Sequence, residues 1–235
     1  MNRKIILAII ALIILGIIAY GIYYINDYYH ADDTAESYLN GTDNVKVIKT
    51  ANGMLLDGPG DDTALIFYPG AKVEYTSYLP LLTRLAEEGI DCFAVEMPFN
   101  MAILNQNAAD DIIDKNNYTH YYISGHSLGG AMASSYVNST NKTDGLILLE
   151  SYPTDTIQKP VLSIYGTEDK VLNMEKYNES KSLMDNLTEI IIKGANHAQV
   201  GDYGIQSGDG VAKITPEQQQ KQTTEAIIDF IGKSQ

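Results

Sequence analysis

Ser127 stands in Gly125-His126-Ser127-Leu128-Gly129, a G-x-S-x-G pattern between two segments of opposite character. The residues before it, Tyr121-Tyr122-Ile123-Ser124, are aromatic and β-branched and read as a buried strand. The residues after it, Leu128 to Val137, are small and apolar and read as a helix packed close to a sheet. A serine on so tight a strand-to-helix turn has strained dihedrals, and side chains at Gly125 and Gly129 would collide with the neighbouring strand and helix. Its hydroxyl would then stand clear of the sheet, over a helix N-terminus that favours developing negative charge. The chemistry so implied is nucleophilic attack by serine. The competing reading is a glycine-rich turn whose serine merely caps the helix.

A serine hydroxyl is a weak nucleophile and requires a general base. Of the four histidines, His30 lies beside the apolar amino terminus and His120 precedes the elbow strand at its wrong end. His126 sits inside the elbow, where its side chain should point away from Ser127. His197 follows the late strand Glu189-Ile190-Ile191-Ile192, at a strand's carboxyl end, and is the expected base. In the chain order Ser, acid, His, the acid falls to Asp169, after the strand Val161 to Tyr165, with Glu150 at the end of the preceding strand as the alternative. Such an acid would fix the tautomer of His197 and stabilise its imidazolium. The tetrahedral oxyanion calls for two donors. One is the backbone N–H of Leu128. The second is expected in Pro69-Gly70-Ala71-Lys72, at Ala71, with Lys72 as the alternative.

These residues must be positioned by a sheet. Val45 to Lys49 and Gly53 to Asp57 read as an opening hairpin, and Ala64 to Tyr68 as a continuous apolar strand. Leucines at helical spacing follow, ending at Gly89. Strands over Asp91–Val95, Tyr121–Ser124, Gly145–Leu149, Val161–Tyr165 and Glu189–Ile192 alternate with helices over Asn105–Lys115, Leu128–Asn138, Met174–Met184 and Pro216–Ile231. Strands buried on both faces and alternating with helices imply an α/β fold with a doubly wound, mostly parallel sheet and its site at the strands' carboxyl ends.

The amino terminus is a separate matter. Ile5 to Ile25 is an apolar run of about 20 residues, the length of a bilayer-spanning helix. Arg3 and Lys4 precede it and Asp27, Asp32, Asp33 and Glu36 follow, which predicts a cytoplasmic amino terminus and an extracytoplasmic domain. The run ends without a small-x-small cleavage site, so a retained signal anchor is expected. The organisation so read is an anchor over 1–26, a polar linker over 27–44 and a domain over 45–235.

A formal charge of −14 excludes a phosphate-binding basic surface, so no nucleic-acid partner is expected. The single cysteine, Cys92, excludes an intramolecular disulfide. Met97 to Met101 follows a strand at the site end and would either line an acyl pocket or pack the next helix. Gly201 to Gly210 is rich in glycine and aspartate and could act as a flap or bind a cation, although its spacing matches no calcium loop.

Taken together, Tyr68-Pro69-Gly70-Ala71-Lys72-Val73, Gly125 to Gly130, Tyr165-Gly166-Thr167-Glu168-Asp169 and Gly194-Ala195-Asn196-His197-Ala198 resemble the α/β-hydrolase superfamily over about Val45 to Ile231. The chain is most similar to the small, capless family-5 branch related to dienelactone hydrolases. The resemblance implies a Ser127, Asp169, His197 triad working without cofactor or metal. A dienelactone hydrolase proper uses a cysteine nucleophile, so that activity is not implied. The function expected is a membrane-anchored serine hydrolase cleaving small-molecule or lipid esters or thioesters through an acyl-enzyme. An acyltransferase or peptidase using the same triad, and a non-catalytic binding protein on this fold, are the alternatives. The stretch from Glu150 to Val161 is too short for a cap domain.

Overall fold

The computed structural model describes residues 3–234, and the apolar run at its start forms one helix, α1 (Arg3–Asn26), that is long and apolar enough to cross a membrane. A short helix, α2 (Asp33–Ser37), and the hairpin β1 (Lys46–Thr50) and β2 (Gly53–Asp57) lead into the alternating part of the chain. There β3 (Thr63–Tyr68), α3 (Leu79–Glu87), β4 (Ile90–Val95), α4 (Ala108–Ile113), β5 (His120–His126) and α5 (Leu128–Ser139) follow in turn. The remainder is β6 (Gly145–Leu149), β7 (Val161–Gly166), α6 (Met174–Ser180), β8 (Leu187–Ile192) and α7 (Pro216–Ser234).

The strands form one eight-stranded sheet in the order β1-β2-β4-β3-β5-β6-β7-β8. The first three pair antiparallel and all pairs from β4 to β8 are parallel. The α/β fold with a mostly parallel sheet is therefore as expected.

Alternation of side chains divides the core between the two faces. Leu65 and Phe67 of β3 join one apolar cluster, with Leu82 and Leu85 of α3 and Ile227 and Phe230 of α7. Ala64, Ile66 and Tyr68 join the other, with Ile112 of α4 and Ala133 and Val137 of α5. Every residue of β3, β4, β6 and β7 is buried, which is why these strands read as unbroken apolar runs.

Two expected helices require correction, and the linker shows packing that its composition does not disclose. The linker over 27–44 is docked on the domain at several points. Asp32 caps α2 by accepting from the Thr34 and Ala35 N–H groups, Ala35 is fully buried, and Tyr29 pairs with Val73 in an isolated parallel bridge. Polar composition concealed this, because one alanine and a few tyrosines carry the packing. The helix expected over Asn105–Lys115 is confined to Ala108–Ile113, since Asn105 has φ −153° and ψ 58° and the chain before it runs in 3-10 turns. The helix expected over Met174–Met184 stops at Ser180 and becomes a 3-10 turn. Met184 is drawn out of it into the core, where it pairs with Ile157.

Candidate active site

Four adjacent parallel strands, β3, β5, β6 and β7, with β4 beside them, end on one rim of the sheet, and the backbone is strained there. Lys72, Phe99, Asn100, Ser127 and Glu150 are the non-glycine residues with positive φ among the described residues. They follow β3, β4, β5 and β6 respectively, with Phe99 and Asn100 together after β4. Strain of this kind persists only where surrounding structure holds it, and it collects at functional sites.

Ser127 has φ 53° and ψ −124° at the entry to α5. Its N–H donates to the Leu149 carbonyl at 3.0 Å, and its own carbonyl accepts from the Ser151 hydroxyl at 2.7 Å. A Cβ on Gly129 would lie 2.3 Å from the carbonyl oxygens of Tyr68 and Pro69, and one on Gly125 would lie 2.5 Å from Gly129. The elbow glycines are thus required by close backbone approach, as the sequence predicts.

His197 is buried and its Nδ1 lies 2.8 Å from Asp169 Oδ2. The other Asp169 oxygen accepts from the N–H groups of Val171 at 2.6 Å and Leu172 at 2.9 Å. Burial alone would raise the Asp169 carboxyl, but its hydrogen bonds, above all with His197, hold it well below the usual carboxylate range. His197 Nε2 is buried and makes no hydrogen bond, so the nitrogen that would serve a serine is uncommitted. Ser127 and His197 line one cavity of about 300 Å³ with Leu128, Ser151, Tyr152 and Leu172. Catalytic hydrogen bonds are often unformed until substrate binds.

Glu150 does not pair with His197. Its Oε1 accepts from the Gly166 N–H at 2.8 Å, and its carboxyl hydrogen-bonds to that of Asp169. Burial, and then the Asp169 carboxylate beside it, push its carboxyl well above the usual range. Glu150, Asp169 and His197 bring one ligand atom each within 4.8 Å of one another, the sole such trio among the described residues. The 2.8 Å contact between His197 and Asp169 is a hydrogen bond, and burial beside Asp169 favours the neutral form of Glu150, so the trio as it stands is arranged for hydrogen bonding. Glu168 faces elsewhere, toward Lys213 at 2.8 Å.

In the turn after β3 most N–H groups are already committed. Pro69 has no N–H, that of Gly70 donates to the Tyr78 hydroxyl at 3.1 Å, and that of Lys72 donates to the Asn100 carbonyl at 2.8 Å. Ala71 is left as the residue of this turn with an N–H free for a ligand, while Leu128 offers the unpaired N–H of the first helical position.

His126 does not line the Ser127 cavity, and its Nδ1 meets the Tyr78 hydroxyl at 2.8 Å. The sequence did not disclose that its ring packs 4.5 Å from that of His197. Burial, then the His197 imidazole, hold His126 well below the usual histidine range, so it stays neutral. Tyr78 thus links the turn after β3 to the elbow, a role that no local pattern marks. The loop Gly201–Gly210 proves to be a clasp. Asp209 accepts from the N–H of Ala198 at 2.9 Å and of Lys170 at 3.3 Å, tying the histidine turn to the acid turn. Met97 is buried in the core while Phe99 is turned outward, so neither lines the Ser127 cavity.

The sequence profile of the alpha/beta hydrolase family matches residues 64–221, more than half of the chain. No curated protein matches the chain in sequence. Among solved structures, Est1E from Butyrivibrio proteoclasticus is similar at 16% identity over 80% of this chain and 99% of that one, with a TM-score of 0.54. A serine hydrolase involved in carbazole degradation is similar at 12% identity over 80% and 98%, with a TM-score of 0.58. A membrane phospholipase A is similar at 12% identity over 96% and 98%, with a TM-score of 0.59. At such identities the likeness is one of fold.

Proposed function

From the premise that the chain belongs to the alpha/beta hydrolase family, we propose that it is a membrane-anchored serine hydrolase of carboxylic esters or thioesters. The observation that carries this reading is the buried His197–Asp169 pair on the cavity that also holds Ser127 at a strained elbow. Ser127 Oγ attacks the acyl carbonyl while His197 Nε2 takes its proton and passes it to the leaving group. Asp169 holds His197 in the required tautomer and balances the imidazolium. The N–H groups of Leu128 and Ala71 receive the oxyanion, a contribution of roughly 3–4 kcal/mol per donor. Water, activated by the same histidine, then releases the acyl group.

The esterase assignment also draws on the neighbours of this fold, several of which carry hydrolase names. Helix α1 acts as a retained anchor, with Arg3 and Lys4 on the cytoplasmic side and the acidic residues after Asn26 outside.

The test is labelling of the full-length chain with a fluorophosphonate, beside its Ser127→Ala variant. Labelling lost in the variant, together with a fall of about 10⁴-fold or more in ester hydrolysis, is the expected result. A folded wild type that takes no label removes the hydrolase reading.

A further inference from the structure

The domain carries an apolar patch that its own core does not use. Phe99, Ile103 and Leu104 are 59%, 55% and 58% exposed, and they lie in the two 3-10 turns between β4 and α4. With Met101 they surround a groove of about 220 Å³ whose other wall is Tyr24 and Ile25, the last turn of α1. Phe99 and Asn100 have φ of 54° and 55°. A left-handed phenylalanine is a costly conformation, and here it turns the ring outward rather than into the core.

We propose that this patch rests on the bilayer leaflet from which α1 emerges, so that the site takes long-chain acyl esters held in that leaflet. This deepens the hydrolase and anchor readings above and rests on both.

The geometry follows from the length of α1. From Ile5 to Ile25, at 1.5 Å per residue, the apolar run is about 31 Å long, close to the roughly 30 Å hydrocarbon core of a bilayer. The edge of the core therefore falls at Tyr24 and Ile25, and whatever packs against them lies in the interfacial layer. Phe99, Ile103 and Leu104 face them across the groove and so lie at that level. The polar groups at this level suit the same layer: the Lys72 ammonium sits 4.2 Å over the Tyr24 ring and 2.9 Å from Asp27. An anionic leaflet would repel a chain of charge −14, so the contact must be apolar rather than electrostatic. A protein partner would have to enter the headgroup layer to reach the groove, whereas lipid is already there.

The patch is also joined to the site. Asn100 accepts from the N–H of Lys72, the residue after Ala71, and Gly129 of the elbow packs on the carbonyls of Tyr68 and Pro69. An ester leaving the leaflet at Phe99 therefore meets the turn that offers the Ala71 N–H before it reaches Ser127.

The chain has no tryptophan, so single replacements make clean depth probes. The full-length protein would be reconstituted in phosphatidylcholine vesicles containing acyl-brominated lipid, as Phe99→Trp, Tyr24→Trp and Ile191→Trp variants. Ile191 lies on β8, five strands from β4. Bromolipid should quench the tryptophans at 24 and 99 about twofold or more and leave the one at 191 bright, unchanged from 50 mM to 500 mM salt. A triple variant, Phe99→Ser with Ile103→Ser and Leu104→Ser, should lose about tenfold on a long-chain ester in vesicles and hold its rate on a short soluble ester.

Quenching at 24 without quenching at 99 overturns the proposal while leaving the anchor intact. A disulfide-linked dimer through Leu104→Cys with no quenching at 99 would assign the patch to a second copy instead and overturns it equally. Absent quenching at 24 refutes the anchor reading and the proposal with it. If the triple variant slows both esters alike, the supply of substrate from the leaflet is refuted. Absence of fluorophosphonate labelling would refute the hydrolase reading separately, with quenching at 99 still deciding the leaflet contact.

Discussion

At the corner where β5, β7 and β8 end, hydrogen bonds converge on one buried carboxylate, that of Asp169, which accepts from His197, Val171 and Leu172. At the neck where α1 meets the domain, the contacts are spread along the chain. The neck rests on Tyr29, whose N–H donates to Lys72 at 2.7 Å, whose carbonyl accepts from Glu74 at 2.9 Å, and whose hydroxyl accepts from Ser207 at 3.0 Å. The corner is arranged for rigidity around one cavity, and the neck attaches the loops of that corner to a helix outside the domain. Substitutions at the corner should change chemistry steeply, and substitutions at the neck should change stability and position more gently.

The largest expected effect tests which carboxyl serves the corner. Asp169→Asn should lower kcat about 10³–10⁴-fold, because the wrong tautomer of His197 would face Ser127. Glu150→Gln keeps the acceptor for the Gly166 N–H and replaces a protonated carboxyl by its neutral likeness, so kcat should fall less than about tenfold. Steady-state kinetics on one soluble ester decides the matter. The reverse order of effects would move the acid role to Glu150.

The next effect is on stability against pH, and the two buried groups pull in opposite directions. The folded-state pKa of His126 is depressed, so its contribution is fully present above the unfolded value near 6.5 and is lost as pH falls below it. The folded-state pKa of Glu150 is raised, so its contribution is present below the unfolded value near 4.3 and is lost as pH rises toward the folded one. Between pH 5 and 7, thermal melts of His126→Gln should therefore gain less stability with rising pH than wild type. Melts of Glu150→Gln should gain more. Parallel slopes in all three proteins would mean that neither group titrates as the burial requires.

The corner was legible in sequence because its chemistry fixes residue type, chain order and strand end together. Ser127, Asp169 and His197 each follow a strand of the parallel sheet, and the structure brings the last two into a 2.8 Å contact. Ala71 is preferred to Lys72 in the sequence because Gly70 permits a turn that aims the following N–H at the site, and the N–H of Lys72 is taken by Asn100. What stayed hidden depends on long-range packing. Tyr78 meets His126 from 48 residues away, and Tyr29 receives the N–H of Ser207 from 178 residues away. No periodicity or motif encodes such pairs. The docking of the neck stayed hidden for the same reason, since its polar residues conceal the side chains that hold it.

A gentler effect follows from cutting the neck. A soluble form beginning at residue 31 loses the backbone pairing of Tyr29 with the turn that holds Ala71, while one beginning at residue 27 retains it. At about 1 kcal/mol for each of two backbone hydrogen bonds, the shorter form should be less stable by about 2 kcal/mol, or roughly 4–8 °C in Tm. Its kcat should fall further than its KM rises, because a looser turn places the Ala71 N–H less well for the oxyanion than for the ground state. Equal melting and equal kcat in the two forms would return residues 27–30 to the standing of a passive tether.

The smallest effect concerns Lys72, where backbone and side chain can be separated. Its φ of 57° suits glycine, and its ammonium holds Asp27 at 2.9 Å. Lys72→Ala removes the ion pair and keeps the strained backbone, whereas Lys72→Gly removes the pair and relieves the strain. A half-exposed pair is worth little in water, so both variants should melt within about 1–2 °C of wild type, with glycine the more stable of the two. The order matters more than the size. If alanine and glycine lower Tm equally, the left-handed turn costs nothing and the neck is held by its ion pair. If glycine exceeds wild type, the strain at Lys72 is kept for the position it gives Ala71, and the neck then belongs functionally to the corner.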